Sequence, residues 1–584
     1  LEHLYINDPT CYFDDETILN NLNSNIVNIY DNGKYLGSEE NPYLIYLTCL
    51  DSGLEEINFH PDTKTIAKNS LRLSNVKNLV IPDYIIYLYD FYAYNMESLT
   101  LPFNYTINPS YTDTPSLYQI TSLKDYLPET LKSFTLKNGL ITRSFFSGCK
   151  YLEKIILEDN VVIDYKEGIV IPLFNDCINL REIKIPSVSS IYFGDLFSKD
   201  ENQNSYLVTI EYRNPNPYGV DYYLYHNYYI PNNLTKVTIK ELPSDYNEFF
   251  FSYSDDGYKS ITDITIGHLE IINTNTFKSL PNLNNLTILD GLTTIADKAF
   301  MNSSIQKFNA PDTLKIINHY AFSNCTKLQE FSLANVIKIG GYAFNNCHFT
   351  NINLNEDIEY IGENAFTGND GLIININDTS SLTYIGTGAF NGATINNILN
   401  LNNDNLEIAD KAFLNAKGVE EIHILSANSV GKNIFEGTNL TSITLPYISK
   451  NHNSNIKTLG YYFQDEEKEN TYEALMPNNG ELKKYYFPTL LTSVTILGGE
   501  MLDRAFTNLT SLKDINLTTN SLYEGLFSGC TNLENISING TYKTIPSYIF
   551  EGTKLKEITI PNTVTAIGEA AFKDTLITSI TIPN

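Results

Sequence analysis

Ile339-Gly340-Gly341-Tyr342-Ala343-Phe344 decides the fold, because the phrase returns as Ile361-Gly362-Glu363-Asn364-Ala365-Phe366, as Ile385-Gly386-Thr387-Gly388-Ala389-Phe390 and, far downstream, as Ile567-Gly568-Glu569-Ala570-Ala571-Phe572. Outward from it, Phe alone keeps the beat at Phe277, Phe300, Phe322, Phe344, Phe366, Phe390, Phe413 and Phe435, in steps of 22 to 24 residues. It resumes at Phe506, Phe527, Phe550 and Phe572, in steps of 21 to 23. A period of about 22 residues kept this long is the mark of stacked repeats, in which each unit closes its core only against its neighbours.

A second phrase follows most of these phenylalanines, L-x-x-I-x-L, often closed by proline, as in Leu440-x-x-Ile443-x-Leu445-Pro446 and Leu555-x-x-Ile558-x-Ile560-Pro561. Its alternating β-branched residues predict a short strand with one buried face. Proline, lacking an N–H, ends the ladder there. The glycine of the first phrase predicts a tight turn, and the x-x-A-F-x-x-C segment one turn of helix or 3₁₀. Ala and Phe then point inward, and one aromatic per coil builds a spine.

The two phrases together resemble the BspA-like leucine-rich repeat, whose unit reads I-G-x-x-A-F-x-x-C-x-x-L-x-x-I-x-L-P. The match is strongest over 277–445 and 500–584. It is weaker over 131–186, through Phe146-x-x-Cys149-x-x-Leu152-x-x-Ile155 and Phe174-x-x-Cys177-x-x-Leu180-x-x-Ile183-x-Ile185-Pro186. Over 51–102 only the strand phrase survives. The resemblance implies a leucine-rich repeat solenoid, right-handed, with a parallel β-sheet on the concave face and short strands, turns and 3₁₀ or short helices on the convex side. Residues 1–50 are expected to cap it, and 51–584 to form the repeat. Insertions are expected near 103–130, 199–233, 244–260 and 446–490, where the period breaks.

Composition narrows the function. Of 584 residues, 39 are Lys or Arg and 68 are Asp or Glu, for a net charge of −29. That balance excludes nucleic acid, which needs cations against its phosphates, and docking on an anionic membrane. No apolar run reaches the length of a membrane helix. The chain opens on Leu1 without a basic-then-apolar leader, as expected of a mature or trimmed segment from which any signal peptide or anchor has been removed. Asn and Tyr are abundant, with 42 Tyr and no Trp. An AT-rich genome produces that skew, so composition alone would account for much of it.

Catalytic patterns are missing. Five cysteines, Cys149, Cys177, Cys325, Cys347 and Cys530, stand three residues after a Phe. Thr438, Thr553 and Ala416 fill the same slot elsewhere, so it reads as a small packing position holding reduced thiols. There is no C-x-x-C, no H-E-x-x-H, no G-x-S-x-G and no phosphate loop. Asp255-Asp256-Gly257 reads as a turn rather than a calcium loop. No cofactor, no metal and no enzymatic activity are expected.

What remains is surface. The fifth position of L-x-x-I-x-L points outward on the concave face and runs Thr100, Thr135, Ile156, Lys184, Glu211, Thr238, Thr265, Thr287, then on through Asn353, Asn375, His423, Thr444, Thr495 and Asn516. It is largely an uncharged polar ladder, a role Thr fills on any exposed strand. The insertion at 199–233 differs, with Tyr222, Tyr223, Tyr225, Tyr228 and Tyr229 close to Pro217 and Pro231. Tyrosine supplies contact area at small entropic cost, so these five are the candidate partner-binding residues. The competing reading makes them the core of a degenerate coil. The resemblance implies a surface-displayed or secreted protein that adheres to a host matrix or cell-surface protein, as a monomer. The alternative is an intracellular interaction scaffold.

Overall fold

The computed structural model describes residues 4–6, 8–9, 26–72, 74–89, 93–103, 123–124, 127–142, 144–164, 172–187, 193–199, 204–214, 222–242, 246, 250–251, 258–369, 371–376, 379–395, 398–451 and 453–583. They fall into two compact units, Leu1–Glu270 with Thr276–Gly291, and Ile271–Asn275 with Leu292–Asn584. Each is a parallel β-solenoid. Most of the expected insertions at 244–260 and 103–130, and all of Asp255-Asp256-Gly257, lie outside the described residues.

The second unit holds the most regular coils, and many of them supply two strands where the sequence predicts one. The predicted strand appears in Glu421–Ser426, Ser442–Leu445, Ser493–Ile496, Asp514–Thr518 and Asn535–Asn539, paired in parallel in chain order. A further ladder of two-residue strands runs Ile271–Ile272, Thr294–Ile295, Ile316–Ile317, Lys338–Ile339, Tyr360–Ile361, Tyr384–Ile385, Glu407–Ile408 and Ser429–Val430. Its second residue is the Ile that opens I-G-x-x-A-F, buried in every coil from Ile295 to Ile408.

Between the ladders the predicted turn of helix is replaced by alternating amides. The N–H groups of Ala321, Ser323 and Cys325 bond within the coil, to the carbonyls of Asn318, Tyr320 and Phe322. Those of Tyr320, Phe322 and Asn324 cross to Gly341, Ala343 and Asn345 of the next coil. Turning every other donor outward places the residues two before and two after Phe in the left-handed region. Tyr320 (φ 58°) and Asn324 (φ 61°) flank Phe322, and the pattern recurs at all twelve of the periodic phenylalanines from Phe277 to Phe572. Asn tolerates that region better than other side chains, and the second residue after Phe is Asn302, Asn324, Asn346, Asn415 or Asn508 in five coils. Those asparagines are therefore placed by backbone geometry and not by codon drift alone. The phrase's glycine, in turn, is needed for close approach rather than for a turn. A Cβ at Gly362 would lie 2.4 Å from the backbone nitrogen of Gly341.

The Phe spine forms as predicted. From Phe300 to Phe413 successive rings stack with centroids 4.6 to 6.3 Å apart and planes within 13°. Beside it, the cysteine slot is more than a small hydrophobe. The thiols of Cys177, Cys325, Cys347 and Cys530 each donate to the carbonyl of the preceding coil's Phe, at 3.0 Å. Asn369 does the same with its amide, reaching Phe344 O at 2.8 Å. All six cysteines of the described residues are free.

In the first unit, Asn28–Tyr30, Gly33–Leu36 and Ile45–Cys49 form an antiparallel meander, and the last pairs in parallel with Thr65–Ile66. Leu36, Leu44, Ile45, Leu47 and Ala67 close the core beneath it. A parallel sheet follows through Ser98–Leu101, Ser133–Thr142, Lys154–Asp164, Glu182–Ile185, Lys236–Glu241, Asp263–His268 and Asn285–Asp290. Its register aligns Phe134, Ile155, Ile183, Val237, Ile264 and Leu286, all buried.

Candidate recognition surface

The polar ladder of the parallel strands is in register within each unit. Thr238, Thr265 and Thr287 are paired in sequence, as are Thr444, Thr495 and Asn516. One member is corrected: Lys184 pairs directly with Thr238, and Glu211 belongs to an inserted strand instead. Parts of the ladder satisfy themselves. Asn375 donates to Asn353 at 2.6 Å, Asn539 to Asn516 at 3.1 Å, and His423 Nδ1 shares a hydrogen bond with Thr444 at 2.7 Å. Side chains already paired this way offer a ligand less.

The insertion at 199–233 is an antiparallel hairpin, Ser205–Asn214 against Tyr222–Pro231, with Tyr228 opposite Val208 and Tyr229 opposite Leu207. Just before it, Phe193–Leu196 makes a 3₁₀ turn. This turn is where the hairpin docks. Tyr228 lies over Gly194, where a Cβ would come within 2.4 Å of its ring. Its hydroxyl donates to Asp195 at 2.7 Å, and the Lys199 ammonium stands 6.0 Å from the ring centroid. The amide of Tyr229 donates to Ser198 O at 2.8 Å.

Tyr228 is 0% exposed and leaves the candidate surface. For this residue the core reading is right: glycine opens the space, and the ring with its hydrogen bond fills it. Tyr229 is half-buried. Tyr222, Tyr223 and Tyr225 lie on the same strand, and their side chains are outside the described part. Positions 223, 225 and 229 share one parity along the strand; 222 and 228 share the other. On the first strand Leu207, opposite Tyr229, is 46% exposed.

The insertion at 446–490 is also a hairpin, Thr471–Asn478 against Glu481–Pro488, closed by Asn479 and Gly480 at positive φ (49° and 87°). That two-residue Asn-Gly loop matches the twist of the paired strands. Ala474, Met476, Tyr485 and Phe487 are buried on the inner face, and Leu475 and Leu482 are 38% and 61% exposed on the outer one. Burial pushes the Tyr485 hydroxyl up, while the hydrogen bond from Lys483 holds Asp465 below the usual carboxylate range. The charged run Asp465–Glu469 is a solvated bend before the strand. Among the described residues no three His, Cys, Asp or Glu side chains are grouped to hold a metal ion, and no helix is long and apolar enough to cross a membrane.

The coil geometry now has a family to be set beside. The model of the BspA type leucine rich repeat region matches residues 48–126, 126–256, 257–373, 337–463 and 478–584. The chain belongs to that family. No curated protein matches it. Among solved structures, a leucine-rich repeat protein from Bacteroides ovatus is 20% identical, covering 57% of this chain and 73% of its own, with a TM-score of 0.26. A leucine rich cell surface protein from Faecalibacterium prausnitzii is 15% identical, over 89% of this chain and 96% of its own, with a TM-score of 0.21. The pneumococcal vaccine antigen PcpA is 14% identical, over 95% and 98%, with a TM-score of 0.23. At these values the likenesses carry no argument about what this BspA-type chain does.

Proposed function

We propose that this repeat-based recognition protein is non-enzymatic, stands on the cell surface or is secreted, and adheres to a host matrix or cell-surface protein through the outer face of the hairpin Ser205–Pro231. The observation that carries the reading is Leu207, a large apolar side chain left 46% exposed on a strand pair whose inner face is pinned down by Tyr228. A rigid coil bearing a projecting, variable element is the usual division of labour between scaffold and binding site. The tyrosines proposed for contact are Tyr223, Tyr225 and Tyr229, which share the strand parity opposite to that of buried Tyr228, with Tyr222 beside them. Export is supported by membership of a family whose proteins are commonly found at surfaces.

Adhesion of beads coated with the chain to a layer of extracellular matrix tests the site. Tyr223→Ala with Tyr225→Ala is expected to weaken adhesion by about 2–4 kcal/mol, as loss of paired aromatic anchors does, with an unchanged melting temperature. Unaltered adhesion moves the contact elsewhere. Protease treatment of intact source cells tests placement: digestion is expected, and complete protection until lysis would favour the intracellular scaffold.

A further inference from the structure

The two hairpins are copies of one cassette. Phe193-Gly194-x-x-Phe197 corresponds to Leu459-Gly460-x-x-Phe463, and Asn204-Ser205-Tyr206 to Asn470-Thr471-Tyr472. After the hairpin, Tyr228-Tyr229-Ile230-Pro231-x-x-Leu234-Thr235-x-Val237-Thr238-Ile239 corresponds to Tyr485-Tyr486-Phe487-Pro488-x-x-Leu491-Thr492-x-Val494-Thr495-Ile496. The backbone repeats bond for bond. Phe197 N–H and Phe463 N–H close the two 3₁₀ turns on Gly194 and Gly460. Tyr229 N–H reaches Ser198 O at 2.8 Å, and Tyr486 N–H reaches Gln464 O at 2.9 Å. Asn232 N–H reaches Asn204 O at 2.9 Å, and Thr489 N–H reaches Asn470 O at 3.0 Å. Under each hairpin a glycine meets a tyrosine ring, with a Cβ at Gly194 or Gly460 falling 2.4 Å from Tyr228 or Tyr485.

What the copies share is the means of docking; each also keeps apolar side chains in water. The first exposes Leu207, and the second Leu475 and Leu482. Packing does not require them, because the inner faces are already closed by Tyr228 and Ile230, and by Met476, Tyr485 and Phe487. Both hairpin segments are acidic in sequence. Between Lys199 and Pro231 stand Asp200, Glu201, Glu211 and Asp221 against Lys199 and Arg213; between Asp465 and Lys484 stand six carboxylates against three lysines.

We infer that the cassette is one binding element carried twice, once in each unit, and that both copies take a protein surface whose exposed apolar side chains are framed by Lys and Arg. The inference rests on the reading of the first hairpin as a contact surface and adds a second site of the same specificity. The chain is therefore bivalent for one partner chemistry, which raises avidity on a surface where that partner is repeated.

The probe is a synthetic peptide of alternating Leu and Lys, about a dozen residues long to match strand length, with its Leu-Glu counterpart as control, titrated calorimetrically into the full chain. Two Leu-Lys peptides per chain are expected, with affinity falling as salt rises and no binding of the Leu-Glu peptide. Leu475→Ser with Leu482→Ser should reduce the stoichiometry to one, as should Leu207→Ser with Tyr225→Ser, and the combined variant should bind none. Glu466→Lys with Glu467→Lys, in the exposed bend, should weaken the second copy alone by about tenfold. A single site lost with Leu207→Ser and Tyr225→Ser but indifferent to Leu475→Ser and Leu482→Ser overturns the duplication and leaves the first hairpin's role standing. A single site indifferent to both pairs overturns that role as well. No binding, or equal binding of the Leu-Glu peptide, overturns the partner chemistry.

Discussion

At the scale of single residues, the coil is held by side chains that let the backbone turn outward. Asn324 sits at φ 61° two residues after Phe322, donates to Asn302 at 3.0 Å and accepts from Asn346 at 3.0 Å. Asn324→Ala loses both the tolerance for the left-handed region and the ladder, and should cost about 1–2 kcal/mol. Asn324→Gly restores the conformation and should recover most of that loss, a comparison that chemical denaturation resolves. Phe344 is the opposite case, fully buried between Phe322 and Phe366. Phe344→Ala should cost about 3–5 kcal/mol, as truncations of buried Phe do. Because the loss falls on one coil and its neighbours, denaturation should split into more than one transition; an unchanged curve would reject the spine.

At the scale of elements, the 3₁₀ turn and its hairpin form one joint. Gly460→Ala places a methyl group 2.4 Å from the Tyr485 ring, an approach no side chain makes without something shifting. The outer strands Thr471–Asn478 and Glu481–Pro488 should then lift, and trypsin should cut at Lys483 and Lys484 faster than in the parent. Cutting at the parental rate would mean that the joint absorbs the methyl group. Gly499→Ala, at φ 86° in a neighbouring coil, controls for general loss of stability. Here also lies the boundary of what the sequence makes legible. The Phe spine and the L-x-x-I-x-L strand stand out because large apolar side chains carry them at a fixed period. The second ladder is only two residues per coil, too short for alternation to show, although the Ile before Gly marks it. The Asn or Gly two residues after most of the spine phenylalanines is visible, yet it reads as composition until φ gives it a reason. The first hairpin hid because paired tyrosines, Tyr222-Tyr223 and Tyr228-Tyr229, blur a period of two, and buried Tyr228 cannot be told from half-buried Tyr229 by type.

At the scale of the whole molecule, the stack turns its buried hydroxyls and thiols into a shared sensitivity to alkali. Burial pushes Cys325 and Cys530 up to about 12, and raises Cys177 and Cys347 well above the ordinary thiol range. It pushes Tyr35, Tyr447 and Tyr472 up to about 12 as well. A folded-state value above the unfolded one means that the unfolded chain releases its proton first. Stability from these groups is therefore complete below about pH 8.5, where free thiols begin to ionise. It is lost progressively as pH rises from there toward 12, at about 1.4 kcal/mol per group and pH unit, with the tyrosines joining above pH 10. The melting temperature should be flat between neutral pH and pH 8 and fall steeply beyond pH 9. Cys325→Ala with Cys347→Ala removes two of the thiols and should flatten the descent between pH 9 and pH 10, before tyrosine contributes. In the same window the native parent should resist iodoacetamide at Cys177, Cys325, Cys347 and Cys530, since each is buried and held protonated against a Phe carbonyl of the preceding coil. A melting temperature that does not change up to pH 11, or prompt alkylation of these four thiols in the folded chain at pH 8, would mean that they are neither buried nor bonded as the stack requires.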